Sequence, residues 1–118
     1  MKTRSSPGSL TATGFLLVLT TAASKAEAQR LSRDLLQRKL AGCVNLVPRL
    51  DSFYWWKGKI EHGSEVLLLI KTSRRRIVQL AHFLKSTHSY EVPELIALPI
   101  LWGDQVYLNW LRQSLEIR

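Results

Sequence analysis

The run from Phe53 to Thr72, FYWWKGKIEHGSEVLLLIKT, restricts the fold more than any other part of the chain. It reads as a long β-hairpin. An aromatic strand ends in Trp55 and Trp56, Lys57-Gly58 is a turn signal, and the aliphatic run Val66 to Ile70 follows. Successive side chains of a strand point to opposite faces. Adjacent tryptophans therefore place a large apolar ring on each side of the sheet. A chain this short has helices for only one face of such a strand, so the other face calls for a second protein chain. The segment predicts a sheet-based oligomer.

At 118 residues, 46% of them hydrophobic, the chain makes one domain with a proper core. Its formal charge of +8 raises nucleic acid or anionic ligands as partners. Two of the cations, Lys2 and Arg4, fall in a Ser/Gly/Pro-containing segment, and residues 1–13 are expected to be a flexible leader to a domain over 14–118. Lys2 and Arg4, Phe15 to Leu19, and Ala26-Glu27-Ala28 imitate a secretory signal, but the apolar stretch is only about five residues, short of the ~7–15 needed. Ser24-Lys25-Ala26-Glu27 reads instead as a capping box opening a helix. No run approaches the ~18 apolar residues of a membrane span. The single cysteine, Cys43, allows no intrachain disulfide and fits a reducing compartment.

Along the chain, Gly14 to Thr20 reads as a buried strand and Ser24 to about Leu40 as an amphipathic helix stopped by Gly42. A strand over Cys43–Trp56 contains Pro48, which implies a bulge or an edge. A third strand spans Ile60–Thr72. Ser73 is expected to cap a helix from Arg74 to Ser86, with Ile77, Leu80, Ala81 and Leu84 inward. Tyr90 to Ile100 reads as a fourth strand. Asp104 caps a last helix, with Val106, Tyr107, Trp110 and Leu111 on one face. The order βαββαβ plus a helix is that of an α+β, ferredoxin-like sandwich with a long hairpin. That fold hosts many functions.

Candidate ligands for a metal are Cys43, His62, His82 and His88, with Glu61, Glu65, Glu91 and Glu94, but no Cys-x-x-Cys or paired-histidine spacing occurs. Cys43 and His82 read as core residues and His62 as solvated. His88 opens the segment His88-Ser89-Tyr90-Glu91 before a strand, where functional side chains are often carried. Arg74-Arg75-Arg76 opposes a helix dipole and suits either a solvated run or an anion site. RNA-recognition modules share this topology but display aromatics on central strands; here the third strand is aliphatic, which argues against nucleic acid. Glu61 and Glu65 share a strand face yet lie ~13 Å apart, too far to act as a carboxylate pair on one bond. No enzyme signature is present.

Several stretches together resemble the CutA divalent-cation tolerance family: Lys39-Leu40-Ala41-Gly42-Cys43-Val44-Asn45-Leu46-Val47-Pro48, Tyr54-Trp55-Trp56-Lys57-Gly58-Lys59-Ile60-Glu61, His88-Ser89-Tyr90-Glu91-Val92-Pro93-Glu94-Leu95 and Tyr107-Leu108-Asn109-Trp110-Leu111. The resemblance implies a tight homotrimer whose long hairpins pair between chains, a cytoplasmic role in tolerance of copper and other divalent cations, and no catalysis. It implies a metal position at His88 with Glu91. The likeness of fold and assembly to PII signalling proteins implies a second reading, a sensor or interaction module with inter-subunit clefts lined by Tyr54, Trp56, Glu61, Lys71 and Tyr90. Three positions depart from the family. Thr20-Thr21 stands where some members have a cysteine, Thr87-His88 where some have two histidines, and Ser89 where proline is usual. Weak copper binding, through a lone imidazole at His88 helped by Glu91, is therefore expected.

Overall fold

The computed structural model describes residues 13–116. Its order is β1 (Phe15–Ala22), α1 (Lys25–Gln37), β2 (Cys43–Trp56), β3 (Lys59–Ser73), a 3-10 turn (Arg74–Arg76), α2 (Ile77–Thr87), β4 (Ile96–Pro99) and α3 (Gln105–Leu115). All strand pairs are antiparallel and the sheet order is β2-β3-β1-β4, the ferredoxin-like arrangement expected. The proposed leader falls outside the described residues except for Thr13. Its hydroxyl donates to the Ile100 carbonyl and accepts from Phe15 N–H, so Thr13 belongs to the domain.

Strand periodicity places Val18, Thr20 and Ala22 of β1 and Val66, Leu68 and Ile70 of β3 on one face, all buried. Ala28, Leu31 and Leu35 of α1 and Leu80, Phe83 and Leu84 of α2 close over them. Each fully buried leucine or isoleucine contributes on the order of 1.5–3 kcal/mol. The α2 stripe thus includes Phe83, while His82, expected in the core, is exposed.

The first helix starts as a variant of the expected capping box: Ser24 Oγ accepts from Glu27 N–H at 3.1 Å, but the Glu27 carboxylate accepts at 3.3 Å from the N–H of Ala23, one residue before the cap. It does not stop at Gly42. Lys39 adopts φ 59°, and Lys39 N–H and Leu40 N–H bond back to the Leu36 and Leu35 carbonyls. Gly42 serves packing instead. A Cβ there would lie 2.6 Å from Leu111 Cδ1, so any larger residue would make that side chain of α3 shift.

The bulge expected at Pro48 is present: register shifts between Val47 and Leu50, with Arg49 at φ 65°. Lys57 and Gly58 turn the hairpin at φ 51° and 81°, the paired positive values of a type I′ turn. Ser73 makes no side-chain cap, because β3 runs on until Ser73 pairs with Phe15 and Arg74 N–H bonds to Gly14 O. Residues 88–95 form a loop, and β4 is only four residues long, shorter than read. In α3 the four apolar residues read on one face divide between core and surface, with Leu111 alone buried. Leu108, Leu111 and Leu115 pack with Phe15, whereas Val106, Tyr107 and Trp110 face outward, because the helix meets the sheet along its leucine line.

The second sheet face carries Leu17 and Leu19, cross-strand from Leu98 and Ile96, together with Leu67 and Leu69. No helix covers it as the first face is covered, and Ile96 and Leu98 are exposed. The hairpin end projects beyond the helices, leaving Phe53 69% and Trp55 72% exposed.

Candidate functional site

A cleft of about 760 Å³ opens where the projecting β2–β3 arm meets the loop after α2. Three elements build it. Strand β2 supplies Ser52, Tyr54 and Trp56, which alternate onto the same face as Glu65 of β3 and Thr21 of β1 because Leu50 pairs with Glu65 and Thr21 with Leu67. The loop supplies Ser89, Tyr90 and the segment Glu91 to Glu94.

The floor is a closed polar network. Tyr90 Oη donates to Glu65 Oε2 at 2.7 Å. Burial disfavours the charge on Glu65, but hydrogen bonds from Ser52, Tyr90 and Thr21 outweigh it and hold the carboxyl below its ordinary value. Burial and that carboxylate push the Tyr90 phenol well above its ordinary value, so it remains a donor. Glu27, at the start of α1, ties the loop down. It accepts from Ser89 N–H at 2.9 Å and Ser89 Oγ at 2.8 Å. Burial works against the Glu27 charge too, and the Ser89 and Ala23 hydrogen bonds overcome it, holding the carboxyl below its ordinary value. Ser89, in place of proline, thus provides two donors that proline lacks.

His88 lies beneath this network with its side chain 0% exposed. Nε2 is 2.6 Å from the Thr21 carbonyl, and Nδ1 accepts from Tyr90 N–H at 3.0 Å. A carbonyl only accepts and an amide only donates, so the ring is the neutral Nε2–H tautomer. Its single in-plane lone pair is already engaged. This arrangement does not fit a metal ligand. Glu91 lies apart on the exposed rim, and among the described residues no group of three or more His, Cys, Asp and Glu is placed to hold a metal ion. Thr20, at the family's cysteine position, is fully buried with a hydroxyl that has no partner. The His88 side chain is accordingly buried and structural, where its place before a strand had suggested a functional side chain.

Of the five expected cleft residues, Tyr54, Trp56 and Tyr90 come together within one chain. Glu61 pairs with Tyr54 across the hairpin but stays exposed outside the lining. Lys71 lies roughly 20 Å along β3 from Glu65 and donates to Asn45 Oδ1 at 2.5 Å, with Cys43 Sγ at 3.9 Å. Sequence reasoning did not place Thr21, Ser52 or Glu27 at this cleft. Only the capping box hinted at Glu27, and only the bulged register shows that Ser52 joins Tyr54 and Glu65. The three arginines do not act together: Arg76 donates to the Leu115 carbonyl at 2.6 Å, and Arg74 and Arg75 are exposed. His62 stacks on Phe53 at the hairpin surface, centroids 4.3 Å apart.

The family model of the CutA1 divalent ion tolerance protein matches residues 16–114. Protein CutA of Homo sapiens is 41% identical over 119 residues, covering 97% of this chain and 66% of that protein. The divalent-cation tolerance protein CutA of Pectobacterium atrosepticum is 46% identical over 101 residues, covering 86% and 92% respectively. The chain thus spans nearly all of the bacterial relative but under two thirds of the human one. The solved structure of the periplasmic divalent cation tolerance protein CutA from Archaeoglobus fulgidus superposes with a TM-score of 0.84 at 37% identity, over 86% of this chain and 99% of that one. With the family model matching residues 16–114 and relatives 41% and 46% identical over most of its length, the chain belongs to the CutA1 divalent ion tolerance family.

Proposed function

We propose that the chain acts as a non-enzymatic divalent-cation tolerance protein in the form of a homotrimer. The observation that carries this reading is the uncovered apolar sheet face, continuous with a hairpin arm that is apolar on both sides. Single exposed apolar residues are ordinary, but a contiguous face of this kind marks an interface. Obligate interfaces are large and apolar, often above ~2,000 Å². Three copies of one chain, each laying its arm on a neighbour, satisfy both surfaces at once. Light scattering on the purified chain tests this, and a monodisperse monomer would reject it. A cytoplasmic site of action rests on the single unpaired Cys43 and needs localisation of the tagged protein as its test.

Copper at His88 and Glu91 is the part of the family role that the side chains support least, since the imidazole would first have to give up Tyr90 N–H. Calorimetric titration with copper(II) is expected to find no His88-dependent site stronger than about micromolar. A tighter site lost in His88→Ala would reverse this. The second reading, a PII-like sensor or interaction module that takes a small ligand in the cleft, is favoured by the cleft's aromatic wall and ordered polar floor.

A further inference from the structure

We infer that the outer face of α1 and α2 docks the phosphate backbone of a nucleic-acid duplex. Segments 25–39 and 74–87, which hold both helices and the 3-10 turn, carry nine of the chain's 17 lysines and arginines but only two of its 9 aspartates and glutamates. Nine cations less two anions leave a net +7 here, against +8 for the whole chain. Residues 88–104, by contrast, hold three acids and no lysine or arginine. The cations gather at one end of the face. Arg30 donates to the Thr87 carbonyl, so α1 and α2 run antiparallel. Arg38, at the end of α1, lies over the Phe83 ring, toward the start of α2 where Arg74 and Arg75 stand. Arg33, Arg38, Arg74 and Arg75 are exposed, and among the described residues Arg30 is the one cation of the nine in an ion pair. Arginines at the start of α2 also oppose its dipole, a cost that nearby phosphates relieve.

Self-association leaves this face open. The helices pack on the side of the sheet that carries Val18 and Leu68, whereas the apolar face that a neighbouring chain covers carries Leu17 and Leu69 on the other side. Hydropathy then selects the partner. The exposed large apolar side chains of the two helices are Leu36 and Val78, and none of the exposed Trp, Tyr and Phe rings lies on either helix. A helix that lies on a membrane presents Trp, Phe or Leu beside its cations. A protein interface has an apolar core rich in aromatic rings. Single strands are held by stacking on such rings. A duplex needs none of these, because charge alone holds its backbone, and the arginine fork matches phosphate. Six of the nine cations are arginine. The 13 residues of α1 span about 20 Å, the rise of about six base pairs. The aliphatic third strand argues against base recognition on the sheet, and the helical face reads no base.

Fluorescence anisotropy of the intact chain with two labelled DNA duplexes of unrelated sequence tests this. Both are expected to bind equally, with log K falling against log salt at a slope of about −3 or steeper. Arg74→Gln/Arg75→Gln, at exposed positions, should weaken binding at least about tenfold and lower the slope by about 2. Arg74→Lys/Arg75→Lys should keep the slope, and light scattering should show unchanged assembly in both variants. No binding at low salt, a slope that the glutamine variant does not alter, or more than tenfold discrimination between the two sequences would overturn the inference. Tighter binding, per unit charge, to the single strand, to phosphatidylserine vesicles or to polyglutamate would assign the face to that partner and overturn it as well.

Discussion

At the scale of single residues, His88 and Glu27 hold the loop that forms one wall of the cleft. The His88 ring is buried and bonded at both nitrogens, to a strand carbonyl and a loop amide. Removing it leaves two backbone groups without partners and a void, so His88→Ala is expected to cost about 2–4 kcal/mol. Urea denaturation at fixed protomer concentration measures this, and His62→Ala, at an exposed site, should fall within ~0.5 kcal/mol of the parent. Glu27 and Glu65 predict the acid limb of stability. Both have folded pKa values lowered from 4.5, so the unfolded chain binds more protons in that range. Their stabilisation is present above pH 4.5 and is lost as pH falls through the lower folded values. Thermal melts from pH 6 downward on the parent and on Glu27→Gln should show a shallower acid decline in the variant. Parallel declines would mean that the Glu27–Ser89 contact adds nothing net.

At the scale of elements, the hairpin turn and the end of α1 show where local chemistry and backbone geometry disagree. Lys57 adopts φ 51° and Lys39 φ 59°, conformations that glycine or asparagine adopts with less strain. Lys57→Asn creates the Asn-Gly pair that a type I′ turn favours and should raise stability by about 0.3–1 kcal/mol. Gly58→Ala, at φ 81° with open space around its Cβ, should lower it by roughly 1 kcal/mol through backbone strain alone. Differential scanning calorimetry of the two variants should give Tm shifts of opposite sign. A stabilising Gly58→Ala would contradict the turn geometry.

At the scale of the whole molecule, the elongated shape, 54 × 34 × 23 Å, follows from strands of 14 and 15 residues paired beyond the reach of the helices. An arm of that length with apolar rings on both sides gains little stability alone. Association supplies the missing cover, and a protein stabilised by association melts at a temperature that depends on its concentration. The Tm is expected to rise over a hundredfold range of protomer concentration. Leu69→Glu, on the uncovered face, or Trp56→Asp should abolish that dependence and yield a monomer or an insoluble chain by light scattering. A concentration-independent Tm for the parent would reject the assembly.

Much of this architecture is written locally. Alternation and turn chemistry placed β2 to the residue, Pro48 announced its bulge, Ser24 and Asp104 capped their helices as expected, and combined motifs named the family. These features depend on near neighbours, whose geometry a few residues determine. Other outcomes needed the tertiary structure. Which line of α3 is buried, why Gly42 is glycine, and where β4 ends depend on what lies across a packing interface. The site was legible only in part. Tyr54, Trp56 and Tyr90 carried an aromatic signal along the chain, but within one chain Lys71 stands far along its strand from them, beside Asn45, and the His88 ring is held inward by Thr21. A strand's period states which side chains share a face. How far apart they stand, and whether a polar atom's partners are already taken, is decided by register, by bulges and by residues more than sixty positions away, such as Glu27 on Ser89.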